Sequence, residues 1–430
     1  MLGLDKSILW IVGGQVVGLL NNFLLLKLLT VNLSITAYGY FALWMSVMLF
    51  VRQLIYDPLS IVAAKEVVTV PFLGEKGVSG FQVVKYLTDR IMFGLLLVGA
   101  LSVVGEMVFY KQISTTAYVL MGCIYLVANG AQGIYLNMLN ALKQRKWASI
   151  GIAADSFVKF CLVLLVFFLE EKSVFATLQA VAISSLLVFI GVQHATSHRF
   201  DRATSITDSA KWPQAKQLVV LSTPFFVPTL LTALKGLGDK VFMASFIGVE
   251  ELAAYNVLLQ LGFIPMMLIV GVIQTFVSPD IYKLASDNTN NQQKTVAYIQ
   301  GIVIRIGLLS VVAIIISLLL SHLVFEMLVG AKYTAYSIYL PYFVLAGAIG
   351  GIAGLLNVGI IGVFKPKRVG SLMVISVLVG LVILIISMLV YGFKGAIVGL
   401  ILSNLFMMLI FGHSLLASSS KINRIYLFSL

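Results

Sequence analysis

"LVVLSTPFFVPTLLTALKGLGDKVFMASF", residues 218–246, decides how the rest of the chain is read. Its flanks are oily, yet Lys235, Asp239 and Lys240 sit inside it. It is either a soluble loop or a membrane helix that carries charge for a reason. Composition settles the choice. Of 430 residues, 60% are hydrophobic and 11% charged, against about 25% charged in a soluble globular protein. No soluble fold of this size hides so much apolar side chain. The bilayer must be the solvent for most of the chain.

A helix needs roughly 20 apolar residues to cross the hydrocarbon core. Twelve such runs are present, near 7–29, 36–64, 82–108, 115–139, 148–169, 174–194, 218–247, 252–279, 297–328, 334–362, 368–390 and 393–415. Pro58, Pro224, Pro228, Pro265 and Pro341 are expected kink points, because each removes a backbone donor. The first run follows a lysine but precedes no small-residue cleavage pattern, so it reads as a membrane helix, not a removed signal peptide.

The formal charge of +12 would suggest nucleic acid in a soluble protein; here loop placement explains it. One set of helix ends comprises both termini and the loops near 65–81, 140–147, 195–217, 280–296 and 363–368. Its Lys and Arg outnumber those of the opposite set, Lys111, Lys172, Lys332 and Lys394, by more than four to one. The positive-inside rule then predicts cytoplasmic termini. Trp10, Tyr110, Trp147, Trp212 and Tyr391, near helix ends, fit an interfacial belt. The longest polar stretch, "HATSHRFDRATSITDSAKWPQAKQ" (194–217), reads as a cytoplasmic linker.

The halves on either side of it resemble each other. "ITAYGYFAL" (35–43) matches "LAAYNVLLQ" (252–260) at an offset of 217, which places Asn22 on Asp239. "TAY" recurs at an offset of 218, "EM" (106–107 and 326–327) at 220, and Arg90 and Arg305 lie 215 apart. The expected fold is therefore all-α and polytopic: twelve transmembrane helices in two six-helix lobes, residues 1–199 and 217–430, joined by 200–216. An even number of helices per repeat makes the repeats parallel, related by a pseudo-twofold axis along the membrane normal.

Ionisable residues inside spans are costly and usually face the bundle interior or a water-filled cavity. The candidates are Lys27, Arg52, Asp57, Arg90, Glu106, Asp155, Lys159, Lys235, Asp239, Lys240 and Arg305, seven basic and four acidic. Lys27 and Glu106 lie near helix ends and read as snorkelling side chains. Arg90 and Arg305, about two turns in from the cytoplasm, could snorkel or line a site. Arg52 is central in its helix and can pair with Asp57. Asp155 and Lys159, at i and i+4, share a face and form either a self-satisfied pair or a site. Lys235 and Asp239 share a face in the same way, while Lys240 is turned about 100° away. Two lysines exceed what one aspartate neutralises. A cavity so lined favours an anion, and phosphate fits best, because Lys and Arg supply charge-assisted donors. Asn21, Asn22, Asn129, Gln132, Asn137 and Asn140 are expected to bond between helices, with a minority touching sugar hydroxyls. Cys123 and Cys161 read as small buried hydrophobes, and the four histidines are too scattered for a metal site.

The segment "GDKVFMASFIGVEELAAYNVLLQLGFIPMMLI…VSPDIY" (238–282), the preceding "STPFF", the basic hairpin "NALKQRKW" (140–147) and "KGAIVGLILS" (394–403) resemble polysaccharide-lipid flippases of the multidrug/oligosaccharidyl-lipid/polysaccharide exporter superfamily. The resemblance implies a Wzx-type translocase of O-antigen or related repeat units in the bacterial inner membrane. Its substrate would be an undecaprenyl-pyrophosphate-linked oligosaccharide, moved from the cytoplasmic to the periplasmic leaflet by alternating access. Arg52, Arg90, Lys159, Lys235, Lys240 and Arg305 would then serve the pyrophosphate, and Asp57, Asp155 and Asp239 ion coupling or positioning. Partners would be the lipid bilayer, H+ or Na+, and a polysaccharide polymerase; no cofactor, metal or nucleic acid is expected. A multidrug cation antiporter of the same superfamily should instead carry an acidic site. A polymerase or ligase should carry large outer loops, and the outer loops here are short.

Overall fold

The structure is a computed structural model and describes residues 6–69, 80–109, 114–169, 172–200, 208–286, 291–364 and 366–427. All regular structure among them is helical. In order come α1 (Lys6–Asn32), α2 (Ile35–Thr69), α3 (Gly80–Phe109), α4 (Ser114–Ala141), α5 (Arg145–Phe168), α6 (Val174–Phe200) and α7 (Asp208–Phe246). Then follow α8 (Val249–Leu258), a π-helical turn (Leu259–Phe263), α9 (Ile264–Ser286), α10 (Asn291–Leu328), a 3-10 helix (Ala331–Tyr339), α11 (Leu340–Val363) and α12 (Pro366–Leu427).

Among the described residues, ten stretches are long and apolar enough to cross a membrane. Large apolar side chains point outward on them, as in Phe168 (82% exposed) and Leu319 (77% exposed). In water those faces would aggregate; in lipid they cost nothing. The stretch in α12 runs 50 residues, Arg368–Ala417. It is broken at Gly392, where φ 57° and ψ −134° leave helical geometry. Glycine takes that φ without a Cβ clash, and the sequence runs ending at 390 and starting at 393 meet there.

The prolines act in two ways. Pro58 lies inside α2, and Pro224 and Pro228 inside α7. Pro265 follows the π-helical turn. A proline ring collides with the carbonyl four residues back, here Leu261, and the wider turn absorbs that collision. Pro341 is not a kink. It stands in the first turn of α11, where a missing N–H leaves no bond unmade.

Two compact units are present, residues 1–234 and 235–430. Their boundary falls inside α7, between Leu234 and Lys235. In the first unit α4 packs on α2, α3, α5 and α6, and α1 lies on α5. Lys146 sits over the Trp10 ring at 5.3 Å, so the start of α1 and the α4–α5 hairpin share one end. In the second unit α11 packs on α9, α10 and α12. Its small-residue run "LAGAIGGIAGLL" (345–356) permits close approach: a Cβ at Gly347 would stand 2.6 Å from the Phe263 carbonyl oxygen, and one at Gly351 2.7 Å from Val270. Such seams let membrane helices pack without a hydrophobic driving force.

Similar contacts occur within each unit. Arg52 bonds Asn129 and Ser60 bonds Asn137 between α2 and α4, each pair 77 residues apart. Gln274 bonds the Gly351 carbonyl between α9 and α11, again 77 apart. Tyr118 meets Phe175 edge-on at 5.1 Å, and Tyr336 meets Phe393 edge-on at 5.4 Å. Phe393 stands as far after Tyr336 in the chain as Phe175 after Tyr118. Tyr38 and Tyr255, aligned by the sequence match, are both fully buried.

Candidate functional site

The charges expected inside the membrane fall into separate groups. In the first unit, Arg52 of α2 donates from Nη1 to the Asn129 Oδ1 of α4 at 3.3 Å. Its Nη2 lies 3.7 Å from Asp57 Oδ1. Gly133 of α4 faces the guanidinium, and a Cβ there would stand in ordinary contact, 3.8 Å from Nη1. On α5, Lys159 Nζ bonds Asp155 Oδ2 at 2.5 Å, the i, i+4 pair the sequence marks. Both side chains are largely buried, at 14% and 19% exposure. Arg52 and Tyr125 stand near enough to act electrostatically on Lys159. The first unit thus gathers Arg52, Asp57, Asp155 and Lys159 on α2 and α5, around Asn129 of α4. Two cations face two carboxylates, so this cluster has no formal charge surplus. Arg52 Nε and Asp155 Oδ1 are nevertheless buried without a hydrogen-bond partner, a cost that a ligand or water can relieve.

In the second unit the pairing departs from the i, i+4 expectation. Lys235 Nζ donates to Asn404 Oδ1 of α12 at 2.9 Å, and Asn404 Nδ2 donates to the Ala346 carbonyl of α11 at 3.4 Å. Asp239 instead accepts from the Tyr255 hydroxyl of α8 at 3.2 Å. Tyr255 is itself fixed edge-on to Phe343 at 5.3 Å. Asp239 is 8% exposed, and its Oδ1 has no hydrogen-bond partner. Among the described residues no ion pair joins Lys235 to Asp239. A neutral amide holds the ammonium in place, and Asp239 acts on its charge only without direct contact. Gly236 has open space where a Cβ would project, whereas Gly238 packs on Leu381 of α12. Lys240 is half-buried and lies beside Asp239.

Arg90 and Arg305 stand outside these clusters. Both are exposed. Arg90 lies over the Tyr86 ring at 5.1 Å, and Arg305 is near Tyr298, whose hydroxyl donates to Asp280 at 3.3 Å. Lys27 is half-buried, and the side chain of Glu106 lies outside the described residues. Of the amides, Asn21 bonds Ser156 at 3.4 Å, tying α1 to α5, while Asn22 is exposed. Asn404, Gln274 and the Tyr255 hydroxyl are polar groups the sequence reading passed over. The signal was there: Asn404 and Gln274 are amides inside otherwise apolar runs, where a polar group needs an interhelical partner. Among the described residues no cluster of His, Cys, Asp and Glu could hold a metal.

Comparison places the fold. The lipid II flippase MurJ, in an inward closed conformation, superposes with a TM-score of 0.65 at 16% identity, over 99% of this chain and 93% of that one. An outward-facing multidrug resistance MATE transporter of the MOP superfamily gives 0.61 at 14%, over 98% and 96%. A MOP-superfamily transporter from Pyrococcus furiosus, described as having a binding pocket of reverse polarity, gives 0.62 at 13%, over 97% and 96%. No curated protein sequence matches. These three are described as membrane flippases or transporters, and this chain shares their fold. The model of the polysaccharide biosynthesis protein family matches residues 4–285, and the chain belongs to that family.

Proposed function

We propose that the protein is a flippase that carries an undecaprenyl-pyrophosphate-linked oligosaccharide, an O-antigen or related repeat unit, from the cytoplasmic to the periplasmic leaflet of a bacterial inner membrane. Twelve helices form two six-helix lobes with cytoplasmic termini and work by alternating access. α3 and the two segments of α12 complete the count. Lys235 takes the pyrophosphate, with Lys240 beside it. Arg52 and Lys159 offer a second foothold, and Arg90 and Arg305 guide the head group from the cytoplasmic side. Asp239 takes part in coupling to H+ or Na+, or positions the lysines; Asp57 and Asp155 hold Arg52 and Lys159.

The observation that carries this reading is the Lys235–Asn404 bond. A lysine inside a span whose bonding partner is a neutral amide, not a carboxylate, is available to an anion. A cation antiporter has no use for such a group. Membership of a polysaccharide biosynthesis family and a fold shared with a lipid II flippase support a lipid-linked saccharide as substrate class. The experiment is reconstitution into vesicles with a fluorescent undecaprenyl-pyrophosphate-linked oligosaccharide and, in parallel, the same saccharide on an uncharged polyprenol. Flipping of the first alone supports the reading. Equal flipping of both removes the role of the charge.

A further inference from the structure

The second unit ends in a group of aromatic and acidic side chains that the transport chemistry above does not use. It forms where three turns meet: α7 to α8, α10 to the 3-10 helix, and the break at Gly392. The 3-10 helix is "AKYTAYSIY" (331–339). In a 3-10 helix side chains three apart eclipse, and each step of three rises about 6 Å. Tyr333, Tyr336 and Tyr339 therefore stand in one row, which an α-helix would splay. Tyr333 is fully buried and anchors the row. Phe393, just past the Gly392 break, meets Tyr336 edge-on at 5.4 Å and Tyr339 at 5.6 Å. Glu250 and Glu251 open α8, and both carboxylates act electrostatically on Tyr336. In the first unit the corresponding pair, Tyr118 and Phe175, lies beside a cavity of about 470 Å³ lined by Tyr40, Leu43, Trp44, Val47, Tyr118, Val174 and Leu178, with no carboxylate.

We propose that Tyr336, Tyr339, Glu250 and Glu251 form a saccharide-binding platform that receives the glycan of the transported lipid at the non-cytoplasmic end of the second unit. A pyranose has C–H faces, which settle on aromatic rings, and hydroxyls, which donate to carboxylates and exchange bonds with phenols. A scattered interfacial belt would place tyrosines around the perimeter; here they are lined up around one phenylalanine. The charge pattern orients the substrate. Carboxylates repel a pyrophosphate, while Lys235, about 16 Å along α7 from Phe246 at 1.5 Å per residue, attracts one. The two parts of the molecule are thus drawn to points about 16 Å apart along one helix. The platform rests on the flippase reading, and its test separates the two.

The test is binding to purified protein in detergent. Two probes are used: undecaprenyl pyrophosphate without sugar, and the repeat-unit oligosaccharide released by mild acid from the cell's own surface polysaccharide. The wild type binds both. Glu251→Gln and Tyr339→Leu each weaken the oligosaccharide by about tenfold, the first by losing a charge-assisted hydrogen bond and the second by losing a ring contact and a phenol bond. Both leave undecaprenyl pyrophosphate binding and the melting temperature unchanged. Lys235→Ala does the reverse, losing the pyrophosphate probe and keeping the sugar. Two outcomes overturn the platform: pyrophosphate binding without oligosaccharide binding in the wild type, or oligosaccharide binding indifferent to both substitutions. Failure of the wild type to bind undecaprenyl pyrophosphate instead overturns the flippase reading.

Discussion

Lys235 of α7 donates a hydrogen bond to Asn404 of α12 at 2.9 Å, and Asp239, one turn further along α7, plays no part in that bond. An aspartate at 404 should therefore separate charge from structure. Asn404→Asp gives Lys235 an anionic partner of the same shape. The carboxylate loses the bond that Asn404 Nδ2 donates to the Ala346 carbonyl but gains an ion pair with Lys235, so the protein should still accumulate, yet transport should fall by about tenfold or more, because the lysine is neutralised. Thermal melting and flipping rate, measured on the same preparation, check this.

Asp239 should report on coupling. The Tyr255 hydroxyl is its hydrogen-bond partner across helices. Tyr255→Phe removes one donor to a buried carboxylate, a loss of about 1–3 kcal/mol in its interactions. The expected result is a shift of several-fold in the H+ or Na+ concentration that half-saturates transport, with binding of undecaprenyl pyrophosphate unchanged. An unchanged ion dependence removes Asp239 from coupling.

The Asp155–Lys159 pair should behave as structure first. Its bond is short and both side chains are mostly buried. Removing one member of such a pair costs about 3–5 kcal/mol, because the other charge is stranded. Lys159→Met alone should lower membrane protein level, and Asp155→Leu with Lys159→Met should restore it. Loss of transport in the restored double variant would assign the pair to the substrate as well.

Sidedness is testable by fusion. A reporter active only outside the cytoplasm should work at Lys172, Lys332 and Lys394, and be silent at Lys143, Lys211 and after Lys421. Activity at Lys211 would break the count of crossings and the two-lobe arrangement together.

Much of the fold was legible because a bilayer demands long apolar runs, and their ends showed as Lys, Gly and Pro. The break at Gly392 and the pairing of Asp155 with Lys159 were both visible as spacing. The partners of Lys235 and Asp239 were not. Helical spacing marks residues on the same face, but Asn404 lies 169 residues away, and which helix comes alongside is set by packing. Pro341 misled for a related reason. A proline in an apolar run looks like a kink until the preceding residues are seen to form a 3-10 helix that ends there. The offset that put Asn22 on Asp239 aligned the chain but not the burial, since Asn22 is exposed and Asp239 buried.

The most direct measurement is the initial flipping rate of undecaprenyl-pyrophosphate-linked oligosaccharide in vesicles holding equal amounts of wild type, Lys235→Arg and Lys235→Ala. Lys235→Arg keeps the charge with altered donor geometry and should retain partial rate. Lys235→Ala forfeits a charge-assisted contact of about 1.5–3 kcal/mol and should lose at least about nine-tenths of the rate at unchanged melting temperature. A Lys235→Ala protein that flips at the wild-type rate would contradict the account.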